Sequence, residues 1–336
     1  MKFDVGFVNN QAVPEIVRQV QLAEALGFET AWITDSHLVC RELWVTLAAC
    51  AAATRRIRLG PGVTVPHTRH FSVTASAIAT LADLAGGRLV LGIGTGGSSA
   101  ETMGLSVQRA ARVSTLEATV DGIRALLARG TARFETGAEG RIAWLDAPRP
   151  APIYVAGSGP RMLRAAGRLG DGVIMYAGTA PEILRAGLAC VADGARERGR
   201  RPADLDVRLW VPTAVGADRA AARDHVRGRV ASAMRHPLPV ELSPEDQAAV
   251  RRLRDAYDSY QHATAASRHR ELVPDRFIDL IALAGTPGEV VDQVRRVMTV
   301  PEVGGIIILP QVPGLGFAER ERILKTFADE VMARVG

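Results

Sequence analysis

Four short segments of this 336-residue chain concentrate the side chains that do chemistry. They are Thr34-Asp35-Ser36-His37, then Gly62-Val63-Thr64-Val65-Pro66-His67-Thr68-Arg69-His70, then Gly92–Ser99 (GIGTGGSS), then Ala156-Gly157-Ser158-Gly159-Pro160. Asp35 and His37 are of the types that pass a proton at neutral pH, and equally of the types that form a structural pair. Gly92–Gly97 fits GxGxxG. That spacing serves a dinucleotide loop, close packing of bare backbone, or a loop lying against a flat ring or phosphate. The dinucleotide reading needs a first strand before the loop and an acid at a strand end beyond it; Glu117 falls inside a helical stretch instead. Ala156–Pro160 opens a helix at Pro160 with Arg161 in its first turn. Free N–H groups and the positive end of the helix dipole there suit a phosphate. His67, Arg69 and His70 form a basic cluster able to draw in an anionic substrate or cofactor tail. Without a third ligand the two histidines make no metal site, and no metal is expected.

These segments fall at the ends of short apolar runs. Phe3–Val8, Thr30–Thr34, Ile57–Val63, Arg88–Ile93, Pro152–Val155, Gly172–Met175, Val207–Val215 and Gly305–Leu309 read as strands. Amphipathic stretches separate them, among them Pro14–Leu26, Leu43–Ala53, Ser72–Leu84, Val113–Leu127, Pro160–Leu169, Pro181–Arg198 and Glu319–Arg334. Gly27 stands where a helix end needs a left-handed residue. Eight β/α units with nearly continuous apolar strands imply an α/β fold, a (β/α)8 TIM barrel, with its chemistry at the carboxyl ends of the strands. Thr131–Pro150 reads as a hairpin outside the repeat. Between strands seven and eight lie about ninety residues, far more than one helix needs. Ser243–Tyr260 reads there as a helix capped by Ser243, and Thr286-Pro287-Gly288-Glu289 as a capping box. The expectation is one domain over 1–336 with an insertion at about 230–283 that helps cover a substrate pocket.

Composition narrows the class. The chain is 47% hydrophobic, 23% charged and only 5% aromatic, with a net charge of +5. Lys2 and Lys325 are the only lysines, and the arginines are spread among acids instead of gathered on one face, which argues against a nucleic-acid partner. Cys40, Cys50 and Cys190 show neither disulfide nor zinc spacing. No segment has the length and apolarity of a signal peptide or a membrane span, so a cytoplasmic protein with no membrane partner is expected.

With those residues in view, the chain resembles the luciferase-like monooxygenase superfamily, and within it the branch using the deazaflavin coenzyme F420. It is most similar to methylenetetrahydromethanopterin reductase-like proteins. The resemblance rests on Ala31–Asp35 (AWITD), on Ala52–Leu81, on Gly86–Gly97 (GGRLVLGIGTGG) and on Ile153–Asp171 (IYVAGSGPRMLRAAGRLGD). It implies hydride transfer between the deazaflavin and a small organic substrate. It also implies Asp35 and His37 as catalytic residues, with Asp35 near the reactive face of the ring. The ring would be backed by a non-proline cis peptide at Gly62–Val63. Thr95, Gly96, Gly97 and Ser98 would run along ring and ribityl chain, and Ala156, Gly157, Ser158, Gly159 and Pro160 would take the phosphate. Two positions depart from the pattern: Ser36 separates Asp35 from His37, and Gly6 stands where the reductases place a glutamate. The alternatives carried forward are an FMN-dependent monooxygenase and a non-catalytic flavin-binding protein. A homodimer is the expected assembly.

Overall fold

In a computed structural model, residues 1–105, 111–258, 260, 268–310 and 316–336 are described. Eight parallel strands form the framework: β1 (Lys2–Phe7), β2 (Thr30–Ile33), β3 (Arg58–Pro61), β4 (Leu91–Ile93), β5 (Ile153–Gly157), β6 (Gly172–Met175), β7 (Asp206–Val215) and β8 (Val303–Leu309). They are hydrogen-bonded in the order β3-β2-β1-β8-β7-β6-β5-β4. Parallel bridges Leu59 to Leu89 and Thr64 to Ile93 bring β3 back to β4 and close the barrel. The (β/α)8 TIM barrel read from the apolar alternation is therefore the fold.

Helices form where apolar residues recur every three or four positions and end where the backbone demands it. Val13–Ala25 turns Ile16, Val20 and Ala23 toward the strands. The chain leaves that helix through Gly27 at φ 86°, a conformation that a side chain at this position would oppose. Leu43–Ala53 is capped by the Glu42 carboxylate, which accepts from the Val45 N–H. Thr286 and Glu289 make the reciprocal capping box, and Ser243 caps Pro244–Asp255. Thr131–Arg133 and Glu139–Arg141 pair antiparallel as the hairpin outside the repeat.

Two features have no local sequence signal. A short strand, Leu283–Gly285, pairs in parallel with the carboxyl end of β7, and the closing helix passes through a π-helical turn at Phe327–Met332. Among the described residues no helix is long and apolar enough to cross a membrane.

The barrel interior is filled differently from the layer under the helices. Val8, Trp32, Val90, Tyr154, Ile174, Trp210, Ile307 and Leu309 make a separate apolar cluster inside it. Two of the chain's four tryptophans are spent here, and glycines make room for them. A Cβ on Gly6 would lie 2.6 Å from the Trp210 ring, and one on Gly62 would lie 2.8 Å from Trp32 Cβ and 2.9 Å from the Trp210 ring. The indoles therefore form a solid floor, and any pocket must lie above it.

Below them the barrel is plugged by charge. Arg208 and Asp4, both almost fully buried, form an ion pair at 3.3 Å. Arg208 also holds Asp206, which accepts from the Tyr154 hydroxyl at 2.7 Å. The Trp32 indole N–H donates to Asp4 at 3.2 Å, tying the floor to the plug. Burial pushes Asp4 up to about 6 against the pull of Arg208.

Candidate functional site

A cleft of about 210 Å³ opens at the carboxyl ends of the strands. Gly62 and Val63 lie at its base, and the Gly62–Val63 peptide is cis. Gly92 and Gly94 bring the next loop against that base. Added Cβ atoms there would lie 3.1 Å and 3.0 Å from the Val63 methyls, and the one on Gly92 only 2.1 Å from the Pro61 carbonyl oxygen. Gly96 takes φ 65° and turns the loop over Val65. Gly92 and Gly94 thus serve close packing against Pro61 and Val63, while Gly96 and Gly97 line the cleft, and the motif follows β4 of a barrel, not the first strand of a dinucleotide fold.

Asp35 stands at one wall, with its side chain withdrawn from solvent. Its Oδ2 accepts from Thr64 Oγ1 at 2.8 Å and from Arg69 Nη1 at 2.5 Å. Its backbone carbonyl accepts from Ser99 Oγ at 2.8 Å. Arg69 reaches on to Glu42 at 2.8 Å, the residue that caps the following helix. The carboxylate is thereby held by two donors and its backbone by a third, while Oδ1 is buried and has no hydrogen-bond partner. A buried acceptor left open beside a cleft is what a donor on a bound molecule would fill.

The structure separates the sequence-derived residues into those that meet and those that do not. Asp35, Gly62, Val63, Gly96, Gly97, Ser98 and Ala156 share the cleft. Ser36 joins its wall to the glycine loop through Ser98 Oγ at 2.8 Å. Gly157, Ser158 and Gly159 continue from Ala156 at the end of β5, where Pro160 begins the helix Pro160–Leu169. Gly159 packs on the segment after β7, a Cβ there falling 2.8 Å from Pro237 Cβ. Thr95 lies on the glycine loop but off the cleft lining. His37 is half-buried, also off the lining, and its Nδ1 has no partner. His70 is occupied as the cap of Phe71–Ala85 and lies 4.2 Å from the Phe71 ring. Burial, then the charge of Arg112, lowers the pKa of His67.

Sequence reasoning missed four of the lining residues. Tyr176, Cys40, Ser232 and Arg229 also line the cleft. Burial raises the Tyr176 hydroxyl to about 12 and raises the Cys40 thiol, so both are neutral at pH 7. Beyond them Arg235 pairs with Glu101 at 3.1 Å and lies over the Tyr257 ring at 3.8 Å. His236, pushed down to about 4 by burial and then by Arg235, is neutral at pH 7. The insertion reaches the glycine loop's helix, where the Tyr260 hydroxyl donates to the Thr102 carbonyl at 3.2 Å.

The profile of the luciferase-like monooxygenase family matches residues 2–300. The chain belongs to that family. It is 30% identical to the 5,10-methylenetetrahydromethanopterin reductase of Methanolobus tindarius, over 99% of this chain and 100% of the relative. It is 31% identical to the F420-dependent glucose-6-phosphate dehydrogenase of Beutenbergia cavernae, over 96% and 93% of the two chains. In three dimensions it superposes on the coenzyme F420-dependent tetrahydromethanopterin reductase of Methanopyrus kandleri with a TM-score of 0.82, covering 100% of this chain and 99% of that one at 23% identity. That last likeness carries the fold.

Proposed function

We propose that this protein is a coenzyme F420-dependent oxidoreductase that transfers a hydride between the deazaflavin and a small organic substrate. The observation that carries the reading is the cleft. Bare backbone from the β3 and β4 loops lines one side of it above an indole floor, and a buried carboxylate is held in place at its wall with one oxygen open. End-to-end identity to relatives named for F420 chemistry supports the same conclusion.

The residues present fit the group. A flat ring needs walls without side chains, and Gly62, Gly96 and Gly97 provide them. A phosphate needs free N–H groups, and the Gly157–Gly159 turn at the start of Pro160–Leu169 provides those. Bound there, coenzyme F420 supplies two-electron hydride exchange at its deazaflavin ring. The chain's own contribution is placement. Gly62 and Val63 back the ring, the 95–98 loop follows it, and Ala156–Pro160 hold the phosphate. Asp35, held in one orientation by Arg69 and Thr64, accepts a hydrogen bond at Oδ1 from the polar edge of cofactor or substrate. His37 carries the accompanying proton toward solvent. His67, Arg69 and His70 stand on the side assigned to the acidic tail, Arg69 acting chiefly through Asp35. The 230–283 insertion covers the cleft and, with the barrel, makes one domain. The working form is a cytoplasmic homodimer, checked by sedimentation.

The deciding experiment is a parallel fluorescence titration with oxidised F420 and with FMN. Selective F420 binding with turnover is expected. Selective FMN binding would make the protein an oxygen-using monooxygenase, binding without turnover would make it a flavin-binding protein, and binding of neither would sink both.

A further inference from the structure

Arg229 sits on the helix Arg219–Met234 and lines the cleft. The residue is 94% withdrawn from solvent, and both Nε and Nη2 are buried without a hydrogen-bond partner. The groups that favour its charge are Tyr176, Tyr257 and Cys40, all neutral at pH 7. Asp35, the one carboxylate on the lining, is already held by Arg69 and Thr64. A second buried cation, Arg320, has Nε and Nη1 without partners and adds its like charge to that of Arg229, while Glu15 partly offsets Arg320 itself. Residues 106–110, 259, 261–267 and 311–315, outside the described set, contain no Asp or Glu that could neutralise either one. A guanidinium buried without an anion is costly, and the fold retains one on the cleft lining.

We propose that Arg229 is the substrate-anchoring residue and that the substrate is a small organic oxyanion, a carboxylate or phosphate, whose charged group docks against the open face of this guanidinium. The proposal rests on the F420 reading for the identity of the reaction. The planar fork of arginine matches an oxyanion with two parallel N–H donors, so charge and orientation are set together. Anchoring at Arg229, which lines the same cleft as Asp35, leaves the rest of a small molecule to extend along that cleft toward the ring. Tyr176 and Ser232 line the same cleft and supply hydroxyl groups.

The test uses the protein with oxidised F420 bound, titrated with acetate and with inorganic phosphate, acetamide serving as the neutral control. Deazaflavin absorbance is the readout, and apo protein is followed in parallel by thermal shift. A saturable response to at least one anion and none to acetamide is expected. Arg229→Met should weaken that anion at least about tenfold, the scale of a lost hydrogen bond to a charged group. Arg229→Lys should retain part of the affinity, and both variants should bind F420 within about twofold of wild type. Without any ligand, Arg229→Met should unfold at or above the wild-type temperature, because it removes an unpaired buried charge. No anion response in the wild type, or an equal response in Arg229→Met, overturns the proposal. So does a lower unfolding temperature for that variant, which would reveal a protein partner. Anions displaced competitively by F420 would assign Arg229 to the cofactor and overturn substrate anchoring. Anion binding that needs Arg229, in a protein that binds no F420, would support the anion site and refute the cofactor reading alone.

Discussion

Removing Arg69 should reveal how firmly Asp35 depends on it. The Asp35 side chain has no solvent exposure and the Arg69 side chain only 14%. In Arg69→Met the alkyl stem is kept and the guanidinium lost, leaving a buried carboxylate with Thr64 alone. Breaking a buried pair from one side costs about 3–5 kcal/mol, since the remaining charge is left uncompensated. The Arg69–Glu42 contact adds little, because Glu42 is 44% exposed and such pairs are worth about 0–1 kcal/mol. The assay is urea unfolding of wild type, Arg69→Met, Asp35→Asn and the double variant. Asp35→Asn removes the charge that needs compensation, so the double variant should be more stable than Arg69→Met. The coupling should be at least about 2 kcal/mol, within the range found for contacting residues. A strictly additive cycle, or an Arg69→Met protein within about 0.5 kcal/mol of wild type, would refute the claim that this ion pair orients the carboxylate.

Three further outcomes are expected. Gly96→Ala places a Cβ at φ 65° and 2.6 Å from Val65 Cγ1; the left-handed backbone alone costs about 1–2 kcal/mol, so F420 affinity measured by fluorescence titration should fall, and Val65→Ala should restore only the steric part. Gly6→Glu should lower the thermal unfolding temperature sharply and gain no reductase activity, because the Trp210 ring fills the space a side chain needs; a stable, active Gly6→Glu enzyme would contradict the solid floor. For Asp4 the folded-state pKa, raised to about 6, exceeds the unfolded value of about 3.8, so its contribution to stability is full below the unfolded pKa and is lost as pH rises through about 6. Asp4→Asn should therefore flatten the wild-type decline between pH 4 and 7 by up to about 3 kcal/mol, at 1.36 kcal/mol for each pH unit; unchanged curvature in urea titrations across that range would count against the buried plug.

The eight strands, most of their helices and the Ser243 and Thr286 caps were legible because each is written locally, whereas the helix Arg219–Met234 was not read. The Phe3–Val8 and Val207–Val215 runs, the Thr286–Glu289 capping box and Gly27 all act within a few residues of themselves, so spacing in the chain equals spacing in space. The cleft's glycine side was legible for a related reason, since a barrel sends the end of every strand to one face and the motifs sit at those ends. What the sequence by itself determined was therefore the repeat, its closed barrel and the loops that face one mouth. Only the tertiary structure decided which side chains meet there. Asp35 finds Thr64 and Arg69 across two β/α units. Gly6 is held bare by a tryptophan about two hundred residues away. Arg229, one of many arginines on an ordinary-looking helix, becomes a buried cation only because the cleft wall closes over it. Burial and charge pairing are sums over distant neighbours, and no periodicity along one segment carries them.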